Sequence, residues 1–206
     1  MGKKWMACAA LAAFLAMGGV AAADEITDAI QEGLRQYQAG EFTQAAQSLD
    51  FAAQLVRQKK GGELQSLLPK PLDGWTAEDA ENQAMAGAYF GGGVAAQRNY
   101  TKNPPQGVDN YEPATVSLQI VTDSPAMQGL MMMLSNPMYA TADGGKLTQI
   151  AGQRAVVKYD SSARSGSIRM AVANRFMVTL EGNAVTQEEL TEYAKKIDYA
   201  KLSALP

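Results

Sequence analysis

The chain has 206 residues, a formal net charge of −3, one cysteine and no histidine. Without histidine it cannot form a Ser-His-Asp triad, use a histidine general base or build the usual zinc ligand sets. Its mild acidity disfavours nucleic acid, which is bound by proteins that carry a basic stripe.

Residues 1–23 are predicted to be a signal peptide. Lys3 and Lys4 are basic, residues 5–20 are apolar and uncharged, and three alanines precede Asp24. The alternative is a membrane anchor, but the run is shorter than the ~20 residues that span a bilayer. We expect cleavage after Ala23 and export to a bacterial periplasm. Cys8 would leave with the peptide, and no transmembrane segment is expected afterwards.

Residues 24–60 are predicted to form an antiparallel helical hairpin. The helical pattern breaks at Gly40, a residue that can end a helix in the left-handed conformation. Apolar side chains fall on one face of each helix. In the first helix they are Ile26, Ile30, Leu34 and Tyr37, and in the second they are Phe42, Ala45, Ala46, Leu49, Ala52, Ala53 and Val56.

The hairpin resembles a single tetratricopeptide repeat. The residues at the repeat's spacing are Gly33, Gly40, Phe42, Ala45, Leu49 and Ala52. One copy is present, whereas a repeat array needs about three units to build a groove. The resemblance implies a docking surface and not a peptide-binding superhelix. The alternative is an amphipathic hairpin that caps or flanks the main domain.

A linker is predicted over residues 61–73, after a helix break at residues 59–62. Pro69 and Pro71 stiffen it, because each proline fixes its own φ. Residues 74–206 then form a second domain, in which Trp75 is expected to pack in the core or at an edge. A glycine-rich centre at residues 90–94 lacks the residues of a phosphate-binding loop and is interpreted as a turn between two strands.

Within that domain, residues 114–122 alternate like a strand, and a helix is predicted from Pro125 to Leu134. The region of this helix is rich in methionine. Three interpretations are open: sheet-facing packing, a lipid or peptide groove, and Cu(I) binding by thioethers. Consecutive methionines point in different directions, which favours packing. The residues concerned are Met127, Met131, Met132, Met133 and Met138.

Residues 146–197 predict strands followed by a closing helix. Alternating apolar residues mark half-buried strands, and residues 160–166 and 173–175 are polar enough for hairpin turns. Thr186 and Glu189 have the spacing of a capping box before an amphipathic helix. The fold class is therefore α+β. The element order resembles the exported α/β sandwich domains of the Mog1/PsbP-like type, which implies a binding or assembly role without a common active site.

No catalytic residue, cofactor or metal site is predicted. The acidic clusters are interpreted as helix starts, where carboxylates are favoured, or as solvated faces, so we expect no enzyme activity. The leading hypothesis is a periplasmic protein that acts by contact with a protein partner in the cell envelope, through the hairpin or an open sheet edge. The alternatives are a carrier of a small apolar ligand and the Cu(I) site. Besides the five methionines, the candidate surface residues are Trp75, Tyr37 and Phe42.

Overall fold

The computed structural model describes residues 18–82, 93–104, 112–142 and 144–205. It confirms the α+β class, because a pair of helices precedes an antiparallel sheet with further helices. The chain divides into two compact units, Met1–Val56 and Arg57–Pro206. The predicted signal peptide lies largely outside the described residues, and so does the glycine-rich centre except Gly93 and Val94.

The first unit contains the predicted hairpin. Helix α1 spans Gly18–Gln38, and helix α2 begins at Phe42. Gly40 sits between them at φ 79°. Its N–H donates to Tyr37 O at 3.1 Å, and the N–H of Glu41 donates to Gln36 O at 2.9 Å. This pair of bonds is a Schellman motif, which satisfies the last carbonyls of α1 and turns the chain back.

The helix break predicted at residues 59–62 is wrong. Helix α2 is continuous over Phe42–Ser66 and includes both glycines. A glycine inside a helix costs about 1 kcal/mol relative to alanine. Tertiary packing offsets that cost, because Leu64 and Leu68 are buried in the core of the second unit. The first residues of the predicted linker therefore belong to the end of α2.

The second unit is built on one antiparallel sheet. Seven strands lie side by side in the order β1-β3-β4-β8-β7-β6-β5, and β2 pairs with β3. The predicted strands near residues 94–100 and 114–122 are confirmed, as is the strand meander of residues 146–183. The described strands are β1 (Trp75–Ala77), β2 (Glu81–Asn82), β3 (Val94–Lys102), β4 (Thr115–Thr122), β5 (Lys146–Ile150), β6 (Gln153–Asp160), β7 (Ser165–Val172) and β8 (Phe176–Asn183).

Helices cover both faces of this sheet. One face carries the main core, to which α5 (Gln187–Lys195) and α6 (Tyr199–Ala204) contribute. The other face carries a smaller cluster under α3 (Ala126–Ser135) and α4 (Pro137–Ala142). Val156 lies in the smaller cluster and its neighbour Val157 in the main core, as alternation along a strand requires.

The helix ends follow local sequence signals. The capping box at α5 is confirmed: Thr186 Oγ1 accepts from the N–H of Glu189, whose carboxylate accepts from the N–H of Thr186. Ser124 Oγ accepts from the N–H of Ala126 at 3.2 Å, where we expected a helix entry. Helix α4 was not predicted. Its first residue is Pro137, which suits the first turn of a helix as well as it suits a stop.

Candidate functional site

Six large apolar side chains of the first unit are exposed along one side of the hairpin. Phe42, Leu49 and Val56 recur every seven residues, which is close to two helical turns, so they form one stripe on α2. Ile30, Leu34 and Tyr37 form a second stripe, on α1. The rings of Tyr37 and Phe42 meet edge to face at 5.8 Å, so the two stripes are in contact. We call the set the hairpin face: Ile30, Leu34, Tyr37, Phe42, Leu49 and Val56, exposed by 46%, 53%, 60%, 65%, 45% and 47%.

Small residues at the contact between the helices explain this exposure. Gly33, Ala45 and Ala52 are buried there. A Cβ atom on Gly33 would lie 2.8 Å from Cγ of Leu49, so glycine is what allows the two helices to approach so closely. Because small side chains fill the contact line, the large apolar ones are displaced to its side and stay accessible.

The two helices also make a polar contact. Ser48 Oγ donates to Gln36 Oε1 at 2.8 Å. Glu32 accepts from Gln36 Nε2 at 2.7 Å and from Arg35 Nη2 at 2.6 Å. Around α1, Glu32, Arg35 and Gln36 lie about a third to half of a turn away from the apolar stripe. The hairpin is therefore amphipathic as a whole, with polar contacts on one side of the helix contact and the hairpin face on the other.

Phe51 is an exposed aromatic residue of the same unit that lies outside the hairpin face. It is 48% exposed, much like the members of the face. It follows Phe42 by nine residues, which at about 100° per residue places it on the opposite side of α2. It is therefore a natural control position for any experiment on the face.

The charge of the chain is concentrated on the hairpin unit. Residues 24–56 carry six carboxylates and one arginine, a net charge of −5. Residues 57–206 carry fifteen acidic and fifteen basic side chains, a net charge of zero. The acidic residues of the hairpin are Asp24, Glu25, Asp28, Glu32, Glu41 and Asp50.

The methionines of α3 and α4 point in different directions, as expected from their spacing. Met127 is buried with Leu130 and Leu134 against the sheet. Met131 and Met133 are half-buried and pack on the same cluster, whereas Met132 and Met138 are 61% and 75% exposed. One side of α3 therefore packs in the manner of a core helix, and the other side presents thioethers at the surface.

Trp75 belongs to the core and not to a surface. Its ring meets that of Tyr193 edge to face at 5.3 Å, and Tyr193 lies 4.4 Å from the ring of Tyr100. Tyr100 Oη donates to the carbonyl of Pro69 at 2.7 Å, and the N–H of Leu72 donates to Tyr193 Oη at 3.3 Å. Burial raises the pKa of Tyr193 to about 12, and burial also raises the pKa of Tyr100. Both phenols stay neutral, and they hold the proline segment on the sheet.

Asp123 makes ionic contacts with two basic residues of the second unit. It has a left-handed backbone, φ 54°, at the end of β4. Its carboxylate accepts from Lys60 Nζ and Thr122 Oγ1, both at 2.7 Å, and Arg175 Nε lies at 3.6 Å. Burial alone would raise the pKa of Asp123, but the bonds from Lys60 and Thr122 outweigh it and lower that pKa. Asp123 thereby links Lys60 of α2 to the end of β4 and to Arg175, which directly precedes β8. This is a structural role.

The described part of the chain contains neither a cluster of histidine, cysteine or carboxylate side chains suited to a metal ion nor a helix suited to a membrane span. No three His, Cys, Asp or Glu side chains come together there in a way that could hold a metal ion. No helix there is both long enough and apolar enough to cross a bilayer.

Comparisons with known proteins gave no match: no family model, curated protein or solved structure matches this chain.

Sequence reasoning found part of the hairpin face. Tyr37 and Phe42 were predicted as surface residues, but Ile30, Leu34, Leu49 and Val56 were assigned only to apolar helix faces. The same helical spacing could have singled them out. What the sequence does not show is how closely the two helices approach at Gly33.

Proposed function

We propose that this protein is a non-catalytic, exported protein of the bacterial cell envelope that binds another protein through the hairpin face. The observation that carries the proposal is the exposure of six large apolar side chains on one side of one unit. With about 200 Å² for a fully exposed large side chain, the face offers roughly 600 Å² of accessible apolar surface. Patches above a few hundred Å² on soluble proteins mark interaction sites.

The size of the face also suits a specific contact. A standard protein–protein interface buries about 800 Å² on each partner, and its centre is apolar with aromatic residues. Tyr37 and Phe42 supply aromatic side chains next to each other, near the turn of the hairpin. The helical hairpin that resembles a tetratricopeptide repeat supports the same proposal.

Site-specific photo-crosslinking in the native cells tests this function. A photoreactive amino acid at Leu34, inside the face, is expected to give one discrete adduct whose partner is identified by mass spectrometry. The same amino acid at Phe51, equally exposed on the other side of α2, is expected to give none. Equal adducts from both positions, or none from either, would refute the proposal.

Export is tested separately. We expect the protein in the periplasmic fraction with Asp24 as its first residue. If the protein is recovered from the cytoplasm with Met1 or Gly2 as its first residue, export is refuted. The binding function is then tested by the crosslinking experiment alone.

The two alternative functions predicted from the sequence, a carrier of a small apolar ligand and a Cu(I) site, stay predictions. A carrier of an apolar ligand would show an additional mass of a few hundred daltons in native mass spectrometry. A Cu(I) site would compete with a chelator for copper under reducing conditions, and a Met132→Leu and Met138→Leu double variant would abolish that competition. Both methionines are exposed, so these substitutions leave the core intact.

A further inference from the structure

We infer that the occupant of the hairpin face is a basic amphipathic helix of the partner protein. This inference rests on the proposed function and adds the chemistry of the partner. Three properties of the hairpin support it: what its face offers to a backbone, how long the face is, and which charge surrounds it.

The face favours a helix over an extended segment. Two helices present side chains only, because their own backbone groups are paired along each helix. An extended segment on such a surface would bury N–H and C=O groups without partners, and each such group costs free energy comparable to a lost hydrogen bond. A helix pairs its own backbone groups and needs only an apolar stripe, which meets the face in the way of helix-in-groove recognition.

The length of the face fixes the length of the occupant. Phe42 and Val56 are fourteen residues apart on α2, or about 21 Å at 1.5 Å per residue. A helix of about fourteen to eighteen residues spans that distance. Its apolar residues would lie at helical spacing on one side, and its other side would face water.

The charge selects a basic partner. After the expected cleavage at Ala23, residues 24–56 carry a net charge of −5, and the 150 residues that follow are neutral. Glu41 stands in the turn directly before Phe42, and Asp50 directly after Leu49, so carboxylates border the face. A second copy of the chain would bring another −5 to the same place and would be repelled. A helix with lysine or arginine on its polar side is attracted, which raises its association rate and disfavours other partners.

The test uses the purified full chain and three synthetic eighteen-residue peptides. The first is an amphipathic helix of leucine and lysine. The second has the same leucine pattern with glutamate in place of lysine, and the third is a scrambled leucine–lysine peptide without an apolar stripe. Binding is followed by fluorescence anisotropy at low and at physiological salt. We expect the first peptide to bind at least about tenfold more tightly than either of the others, and less tightly as salt rises.

Variants locate the binding on the face. Phe42→Ser or Leu34→Ser should each weaken binding of the leucine–lysine peptide by about tenfold or more, because burial of such a side chain is worth more than one decade of affinity. Phe51→Ser is the matched control and should leave binding unchanged. Glu41→Gln with Asp50→Asn should weaken it several-fold while sparing the apolar face. All these residues are exposed, and helix content measured by circular dichroism checks that each variant is folded.

The contrary results are distinct. Equal binding of the leucine–glutamate or scrambled peptide, no binding at all, or equal loss in Phe51→Ser would overturn the inference. A dimer in sedimentation that strengthens with salt and disappears in Phe42→Ser would assign the face to a second copy instead. A crosslinked partner at Leu34 that contains no basic helix would keep the proposed function and overturn only this inference.

Discussion

The turn between β5 and β6 contains a residue that the structure strains. Ala151 and Gly152 connect the two strands, with φ values of 47° and 80°. Two consecutive positive φ values in a two-residue hairpin loop define a type I′ turn, for which Asn-Gly is the preferred sequence. Alanine has no polar side chain to support the left-handed conformation, which costs an L-residue roughly 1–2 kcal/mol. Ala151→Asn should recover part of that cost.

We expect Ala151→Asn to stabilise the second unit by about 0.5–1 kcal/mol. With a urea dependence of about 2 kcal/mol/M, the midpoint of unfolding should rise by about 0.25–0.5 M. Trp75 is the probe, since its ring is 7% exposed and packs on Tyr193, so its fluorescence reports loss of this core.

Ala163 provides the matched control. It also lies in a turn between two strands, β6 and β7, but its φ is not positive. Ala163→Asn relieves no left-handed backbone and should therefore leave the midpoint close to that of the unchanged protein. The strain argument is refuted if Ala151→Asn lowers the midpoint or if Ala163→Asn raises it to the same extent.

Three further predictions concern the second unit. Gly182→Ala should destabilise it by about 1–3 kcal/mol in urea unfolding, because the new methyl would lie 2.5 Å from Cγ2 of Val185. Tyr100→Phe should cost about 1 kcal/mol by the same assay, because it removes the buried bond to the Pro69 carbonyl. Burial would raise the pKa of Glu189, but bonds from its lysine partner and the capping box lower it. The native state thus binds fewer protons, and the stability from Glu189 should be lost as pH falls below about 4.

Each of these has a control. At Gly62 of α2 a Cβ meets open space, so Gly62→Ala should stabilise by up to about 1 kcal/mol, and a loss as large as that of Gly182→Ala would contradict the steric argument. Tyr37→Phe alters an exposed phenol and should be neutral. Glu189→Gln should flatten the acid limb of a stability profile recorded from pH 7 to pH 3, and an unchanged limb would remove Glu189 from the explanation.

The elements that were predictable are those set by nearby residues. The hairpin turn at Gly40 and the capping box of Thr186 and Glu189 are local hydrogen-bond patterns with sequence signatures, and both are confirmed. Helix α2 crosses Gly61 and Gly62 because Leu64 and Leu68 are buried by distant strands, which no local pattern reveals. Helix α4 has six residues, too few for a periodic pattern to be recognised.

The candidate site was predictable in its composition but not in its exposure. The spacing of apolar residues in a stripe is the same whether another element covers the stripe or not. Ala45 and Leu49 were assigned to the same helix face, yet one is 4% exposed and the other 45%. Their difference depends on the approach of α1 at Gly33, which is a property of the pair of helices and not of either one.

The length of the turn between α1 and α2 has a consequence for how this surface is encoded. Ala39, Gly40 and Glu41 fix the rotational phase of α2 against α1. One residue deleted from this turn would rotate α2 by about 100°, which would drive Phe42 and Leu49 toward the helix contact and bring Ala45 and Ala52 out. Every residue of the hairpin face would still be present, but the face would no longer be exposed. A deletion scan of the turn could thus silence the surface without altering any residue that forms it.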